Sequence, residues 1–246
     1  MNPEKRTTPA RIEREKTLAL ERRKILGMSA EHALETIGAH PHPVTLVQSF
    51  TEEDLYLLVH AIGLDDALPV LALASNEQWE YFLDMDIWPR DRMDQRAMTQ
   101  WLDRLLKADP DRFTHWITRE KLEEFEFYLF HNVEVIIREH DQDPSDFGEG
   151  FTTEDTVFYT RLRRPPDASD AEKNFMEERD QFITDLLKRI STFDYFHFRN
   201  ILMESSAIIP AEAEEENYRL RNVRLAEKGL LPFDEAVGVY QPLSVS

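Results

Sequence analysis

Residues 51–63, TEEDLYLLVHAIG, contain the signals for both ends of a helix. The hydroxyl of Thr51 can accept a hydrogen bond from the first-turn amides, and the three acidic residues after it favour a helix amino terminus. Gly63 can adopt the left-handed backbone conformation that ends a helix. Because such signals recur along the chain, this stretch predicts a fold built from short, capped helices.

Other helix starts repeat these signals: Ser75-Asn76-Glu77-Gln78, Ser169-Asp170-Ala171-Glu172 and Asp109-Pro110. Apolar residues follow at helical spacing in two long stripes: Leu122, Phe125, Leu129, Val133 and Ile136, and Phe175, Phe182, Ile183, Leu186 and Ile190. Residues 156–163 alone have the composition of a strand, and their partner could be a hairpin, another chain or nothing. We predict a mainly α protein, an irregular, repeat-like array of short helices with at most one short β element near 156–163.

The composition limits the classes of function. The chain has 29 basic and 48 acidic residues, a formal net charge of −19, so phosphate backbones and anionic membranes are repelled. The absence of cysteine excludes disulfides and thiol catalysis. The amino terminus lacks the apolar region of a signal peptide, and no apolar run reaches the ~20 residues that span a bilayer. We expect a cytoplasmic protein that binds neither nucleic acid nor membranes.

The chain is expected to have four segments. These are a basic helical arm (1–28), a helical array (29–140), an acidic loop and linker (141–167), and a helical segment (168–246) that we expect to end inside a further element. Residues 1–26 carry eight basic and four acidic side chains, in contrast to the acidic remainder. We expect residues 9–26 to form a polar helix that docks on the acidic body or on a partner.

The acidic loop at 141–155 is the best candidate metal site. Counted from Asp143, it places Ser145, Gly148 and Glu154 at the third, sixth and twelfth positions of an EF-hand-type calcium loop. Phe147 stands at the fifth position, where an oxygen ligand belongs. Aspartate and glycine are equally typical of a solvated turn, so both interpretations stay open. The candidate ligands for calcium or magnesium are Asp143, Ser145, Glu149 and Glu154.

Catalytic motifs are missing from the sequence. It contains no Gly-x-Ser-x-Gly, no dinucleotide-binding glycine pattern and no phosphate-binding loop, so we expect no enzymatic activity and no cofactor. The aromatic residues Phe193, Tyr195, Phe196 and Phe198 could stack on a ligand. Since apolar residues also follow at 201 and 202, the pattern predicts instead a helix that is buried on more than one side.

A second candidate is the arginine-rich half of the helix expected at 210–228. Glutamates fill its first half, and the arginines follow them, an order that stabilises the helix dipole. Arginines on one helix are also common contacts for anions or partner proteins. The candidate partner-binding residues are Arg219, Arg221 and Arg224.

The stretches LVQSFTEEDLYLLV (46–59) and ALASNEQ (72–78) resemble an uncharacterised bacterial family of unknown function, and the likeness continues through 143–150 and 218–243. Members of that family extend past this carboxyl terminus, which implies that this chain stops short. The resemblance implies no activity, ligand or catalytic residue. The alternation of short helices with capped acidic turns is also similar to the repeats of the MgtE magnesium-transporter amino-terminal domain and of flagellar-motor switch proteins, which implies a likeness of architecture only.

Two functional hypotheses follow from these patterns. The leading one is a non-enzymatic helical scaffold that binds another protein, because the helices, the uneven charge and the missing catalytic motifs agree with it. The alternative is a metal-dependent sensor or enzyme with its site in the 141–155 loop.

Overall fold

The computed structural model describes residues 9–164 and 169–230. This part of the chain forms α1 (Pro9–Leu26), α2 (Ala30–Gly38), α3 (Pro43–Ser49), α4 (Glu52–Ile62), α5 (Leu68–Leu73), α6 (Asn76–Asp86), α7 (Gln95–Ala108), α8 (Pro110–Arg119), α9 (Leu122–Asn132), β1 (Val133–Ile137), a 3₁₀ helix (Pro144–Phe147), β2 (Thr152–Thr153), β3 (Phe158–Leu162), α10 (Asp170–Phe193), α11 (Tyr195–Ala207) and α12 (Pro210–Glu227). The protein is mainly α-helical, as predicted. None of the helices in these ranges combines the length and apolar character needed to cross a bilayer.

The chain divides into two compact units, Met1–Met85 with Lys107–Asp109, and Asp86–Leu106 with Pro110–Ser246. The first unit contains α1 to α5 and nearly all of α6. The second contains most of α7, the helices α8 to α12 and the sheet. The boundary between the two units does not coincide with the linker expected within 141–167. The four-segment organisation stays a prediction.

The first unit is built from short helices whose predicted caps are present. The Thr51 hydroxyl accepts from the Asp54 amide at 3.1 Å, and Ser75 and Gln78 cap each other's backbone N–H groups. Between the caps, apolar side chains are buried, which stabilises helices too short to persist alone. The largest of these core residues are Ile25, Ile37, Leu46, Leu55, Trp79 and Phe82.

The helix predicted over residues 9–26 is confirmed as α1. From Arg11 onward its described side chains are exposed or half-buried, with the exception of the buried Ile25 near its end. Glu21 lies 3.6 Å from His40 of the same unit. The helix is therefore polar, while its docking on an acidic surface or on a partner stays a prediction.

The β element predicted near 156–163 is confirmed as β3, and it lies at the centre of a three-stranded antiparallel sheet of order β1-β3-β2. The prediction that Val133 and Ile136 extend a helical stripe is wrong, because α9 ends at Asn132 and both residues lie in β1. The β-branched run Val133–Ile137 pairs along its whole length with β3. Backbone pairing with a strand distant in sequence therefore overrides the helical spacing.

The helices α10 and α11 form the frame of the second unit. A capping box of Ser169 and Glu172 begins α10, as predicted. The apolar stripe of this helix is buried, with Ile183, Leu186 and Ile190 almost fully inaccessible. α11 follows after the single residue Asp194 and packs against α9, α10 and β1. The chain therefore turns sharply at one point of the surface.

Candidate functional site

An exposed set of large apolar side chains begins at this turn, where α10 ends, and continues along α11 to Met203. Phe196 is 71 % exposed, and Phe193, Tyr195 and Met203 are each nearly half exposed. We call these four residues the aromatic corner. Large apolar side chains grouped together on a surface mark binding sites more often than scattered single ones do.

The prediction that this helix is buried on more than one side is wrong. Phe198, Ile201 and Leu202 are buried, and their spacing of three and four residues places them on one face of α11. Phe196 and Met203 are seven residues apart and share another face, which is exposed. α11 therefore has aromatic side chains on two faces, one buried and one exposed.

The cap of α11 holds the aromatic corner in place. The Asp194 carboxylate accepts from the His197 amide at 3.0 Å and lies 2.8 Å from the His197 ring nitrogen. Arg119 of α8 approaches the same carboxylate at 3.6 Å. The amide hydrogen bond, with smaller contributions from the His197 ring and Arg119, holds the pKa of Asp194 below its usual value. The turn between α10 and α11 is thus stabilised by charge as well as by backbone geometry.

Tyr195 is fixed by contacts to the loop before β3. Its hydroxyl donates to the Asp155 carboxylate at 3.0 Å. The Arg199 guanidinium lies 5.8 Å from the centre of the Tyr195 ring and 5.4 Å from that of Phe158. Because the Tyr195 side chain is already ordered, binding costs little further conformational entropy. An aromatic residue held in this way is suited to anchor a partner.

A surface cleft of about 600 Å³ adjoins the aromatic corner. It is lined by Asp185, Lys188, Arg189, Thr192 and Phe193. Arg189 is held by a hydrogen bond of 2.7 Å to the Thr114 hydroxyl. The surface therefore offers a shallow, open depression beside protruding rings, where a partner side chain can lie.

The four residues predicted to bind a metal lie in the loop between β1 and β3. The Asp143 carboxylate accepts from the Ser145 amide at 2.9 Å and caps the 3₁₀ helix, and this bond lowers the pKa of Asp143. The Glu149 carbonyl accepts from Arg161 at 3.4 Å, while Glu154 lines a cleft of about 400 Å³ beside the sheet. Among the described residues, no three Asp, Glu or His side chains converge as metal ligands. The calcium or magnesium site stays a prediction.

Calcium is expected to leave the melting temperature unchanged. The carboxylate that begins the loop is already engaged in capping, and Phe147 at the fifth loop position is buried against Tyr159. A site occupied far above its dissociation constant would instead stabilise the fold by mass action. Thermal melts with and without millimolar calcium, at constant ionic strength, test this. A melting temperature that rises with calcium concentration, and rises less with magnesium, would support the calcium loop.

The predicted partner-binding arginines all lie on α12, and each has an intramolecular contact. Arg219 Nε lies 2.7 Å from Glu216 Oε2, the Arg221 guanidinium 5.7 Å from the centre of the Tyr218 ring, and Arg224 Nη2 3.7 Å from Glu124 Oε1. These contacts agree with the stabilising interpretation of the charge order on this helix. Partner binding by these residues stays a prediction.

Sequence reasoning missed a group of arginines at the sheet. A cleft of about 530 Å³ is lined by His131, Glu134, Arg161, Leu162, Arg163, Arg164 and Arg179. The run RLRR at 161–164 is a visible signal of this basic concentration in an acidic chain. The position of Arg179 beside it has no sequence signal, because the residue lies 15 positions beyond the run. This group stabilises the junction of β3 with α10.

Comparison with known proteins places the chain in a family. No curated protein and no solved structure matches it. The model of the family of unknown function DUF6178 matches residues 10–246, which is nearly the whole sequence and includes every element described above except the first residue of α1. The likeness to an uncharacterised family noted on residues 46–59 and 72–78 is thereby confirmed. The chain belongs to the family of unknown function DUF6178.

Proposed function

We propose that this protein is a cytoplasmic, non-enzymatic helical scaffold that binds another protein through the aromatic corner. The observation that carries the proposal is the 71 % exposure of Phe196 on a helix whose cap and neighbouring rings are fixed by hydrogen bonds and cation–π contacts. Exposure alone does not indicate that an aromatic ring has a binding role. An exposed ring on a turn that is held by hydrogen bonds is suited to anchor a partner.

The energetic argument favours a partner with an apolar groove. Transferring a phenylalanine side chain from water to an apolar site contributes about 1.5–3 kcal/mol. Phe, Tyr and Met are enriched at the centres of protein interfaces, and all three types occur in the aromatic corner. Because the turn is already ordered, little of this gain is spent on fixing its conformation.

The acidic net charge of this protein favours a partner that has basic residues around its apolar groove. The net charge of −19 disfavours anionic partners and speeds association with basic ones. The partner that fits best therefore has an apolar groove with basic residues at its edge. The cleft beside Phe193 can receive one protruding side chain of that partner.

The substitution Phe196→Ser should remove partner binding without changing stability. An interface anchor of this kind accounts for about 2 kcal/mol or more, which corresponds to a loss of roughly thirtyfold in affinity. The matched control is Leu57→Ser, which removes an exposed apolar side chain, 57 % accessible, from α4 of the first unit. The measurement is quantitative mass spectrometry of proteins captured by the three full-length chains, with melting temperatures recorded in parallel.

The expected result is a protein retained by the wild type and by Leu57→Ser but lost with Phe196→Ser. Its affinity is then measured with the purified partner. If all three chains capture the same proteins in the same amounts, the aromatic corner is not a binding surface and the proposal fails.

A further inference from the structure

A second concave site lies in the second unit between α9 and α12. It has a volume of about 390 Å³. The segment between α11 and α12 contributes apolar side chains, and the two helices contribute carboxylates and an amide. We call it the glutamate cleft. Its lining residues are Glu123, Glu126, Ile208, Ile209, Glu212, Ala213, Glu216 and Asn217.

The carboxylates of the glutamate cleft are concentrated by helix geometry. Glu123 and Glu126 are three residues apart on α9, and Glu212 and Glu216 are four apart on α12, so each pair shares a helix face. Like charges at this spacing destabilise a helix. None of the described lining residues is basic. Of the four carboxylates, Glu216 alone pairs with a basic side chain of the described chain, Arg219.

A residue that lines the same cleft carries an unsatisfied acceptor. Asn217 is 2 % exposed, and its Oδ1 has no hydrogen-bond donor within the described part of the protein. A buried amide oxygen without a donor is unfavourable and rare in native structures. A ligand that carries an N–H group would satisfy it. This observation is independent of the carboxylates and indicates a ligand of the same kind, a hydrogen-bond donor.

The pKa of Glu126 depends on the burial and the charges around the glutamate cleft. Burial, followed by the carboxylates of Glu204 on α11 and Glu123 on its own helix, raises the pKa of Glu126 to about 7. Glu212 and Glu216 face the same cleft from α12, and Arg219 on that helix is engaged by Glu216. A cation bound there would favour the ionised form of Glu126 and release a proton near neutral pH.

We infer that the glutamate cleft binds an alkyl-ammonium group. The ammonium lies among the carboxylates and donates to Asn217 Oδ1, while its methylene chain covers Ile208, Ile209 and Ala213. A bare metal ion suits the cleft less well, because no three carboxylates of the described chain converge as ligands. This ligand chemistry has two sources, a free diamine or a lysine side chain of another protein. The inference is independent of the aromatic corner.

Isothermal titration of the full-length chain tests the inference with three probes. These are 1,5-diaminopentane, Nα-acetyl-lysine methylamide, and the neutral 1,5-pentanediol as control. We expect saturable binding of at least one ammonium probe and none of the diol. Affinity should be higher at about pH 8 than at about pH 6, because Glu126 is ionised above its pKa. The tighter of the two ammonium probes identifies the source, free amine or lysine side chain.

Matched charge variants locate the binding. Glu126→Gln should weaken the binding of the ammonium probe about tenfold, since it removes a charge-assisted hydrogen bond. Glu215→Gln removes an equal charge from an exposed position of α12 outside the cleft and should change affinity less than about twofold. Glu212→Gln is a second cleft variant at an exposed position, where folding is not at risk. The inference is overturned if neither ammonium probe binds, if the diol binds equally, or if both cleft variants bind as Glu215→Gln does.

Discussion

Replacing Arg179 with methionine should lower the free energy of unfolding by about 3–5 kcal/mol. Arg179 is 7 % exposed, and its guanidinium donates to three acceptors. These are Asn132 Oδ1 at 3.2 Å, the Arg163 carbonyl at 2.8 Å and Asp180 Oδ1 at 2.6 Å. Methionine has an apolar side chain of comparable length, so the substitution removes these bonds and deprives the buried Asn132 and Asp180 oxygens of this donor. The free-energy cost of leaving buried acceptors without a donor exceeds the cost of the changed apolar contacts.

The control for this prediction is Arg164→Met. Arg164 Nε donates to the other oxygen of Asp180 at 2.7 Å, but its side chain is exposed. Because the Arg164 side chain is exposed and the buried Asp180 keeps its bond to Arg179, we expect a smaller loss, of about 1 kcal/mol. Urea denaturation followed by tryptophan fluorescence measures both variants. Equal losses in the two variants would show that burial of Arg179 does not decide its contribution to the free energy of unfolding.

The substitution Gln78→Glu should lower the free energy of unfolding by about 2–4 kcal/mol. Gln78 is 2 % exposed, and its Nε2 donates to the carbonyls of Val47 and Phe50 at 3.1 and 3.0 Å. Its Oε1 accepts from the Ser75 amide at 2.9 Å. Glutamate is isosteric and keeps the acceptor, but it replaces the two donated bonds by a buried negative charge facing two carbonyl oxygens.

The effect of Gln78→Glu should depend on pH. Burial favours the neutral form of the introduced carboxyl, so its pKa is raised in the folded state. The full loss is therefore expected above that pKa, and stability should recover as the pH falls and the carboxyl becomes a donor. Gln48→Glu is the control, since the exposed Gln48 makes a single 3.3 Å bond to the Leu73 carbonyl. A pH-independent loss, or an equal loss in Gln48→Glu, would contradict the assignment.

Local features of the fold were predictable from the sequence. The caps formed by Thr51, Ser75 and Ser169 are where the sequence predicts them, because each cap bonds to an amide three residues away. The start of α8 at Pro110 and the positive φ of Gly63 at the end of α4 follow the same logic. Such interactions depend on residue type and spacing alone, so no tertiary information is needed to find them.

The candidate sites were predictable only in part. The sequence indicates the aromatic residues around position 196 as a possible binding cluster, yet it predicts burial where Phe196 is exposed. The reason is that a helix with apolar residues on two faces does not reveal which face meets the core. The glutamate cleft was missed, since its walls come from residues about 90 positions apart and neither Glu123 nor Asn217 is unusual in its local sequence.

The sequence by itself determined the helical class, the capped helix starts at Thr51, Ser75 and Ser169, the acidic charge and the absence of thiol chemistry. These follow from composition and from bonds within one helical turn. Tertiary structure alone decided that Val133–Ile137 is a strand, since its backbone partners lie in β3. It also decided which face of α11 is exposed and that Arg179 and Asn217 are buried. The free energy that stabilises these features comes from contacts between distant segments. Which partners a buried polar side chain meets then decides its effect: Arg179 finds acceptors and stabilises the fold, whereas Asn217 Oδ1 finds no donor in the described chain.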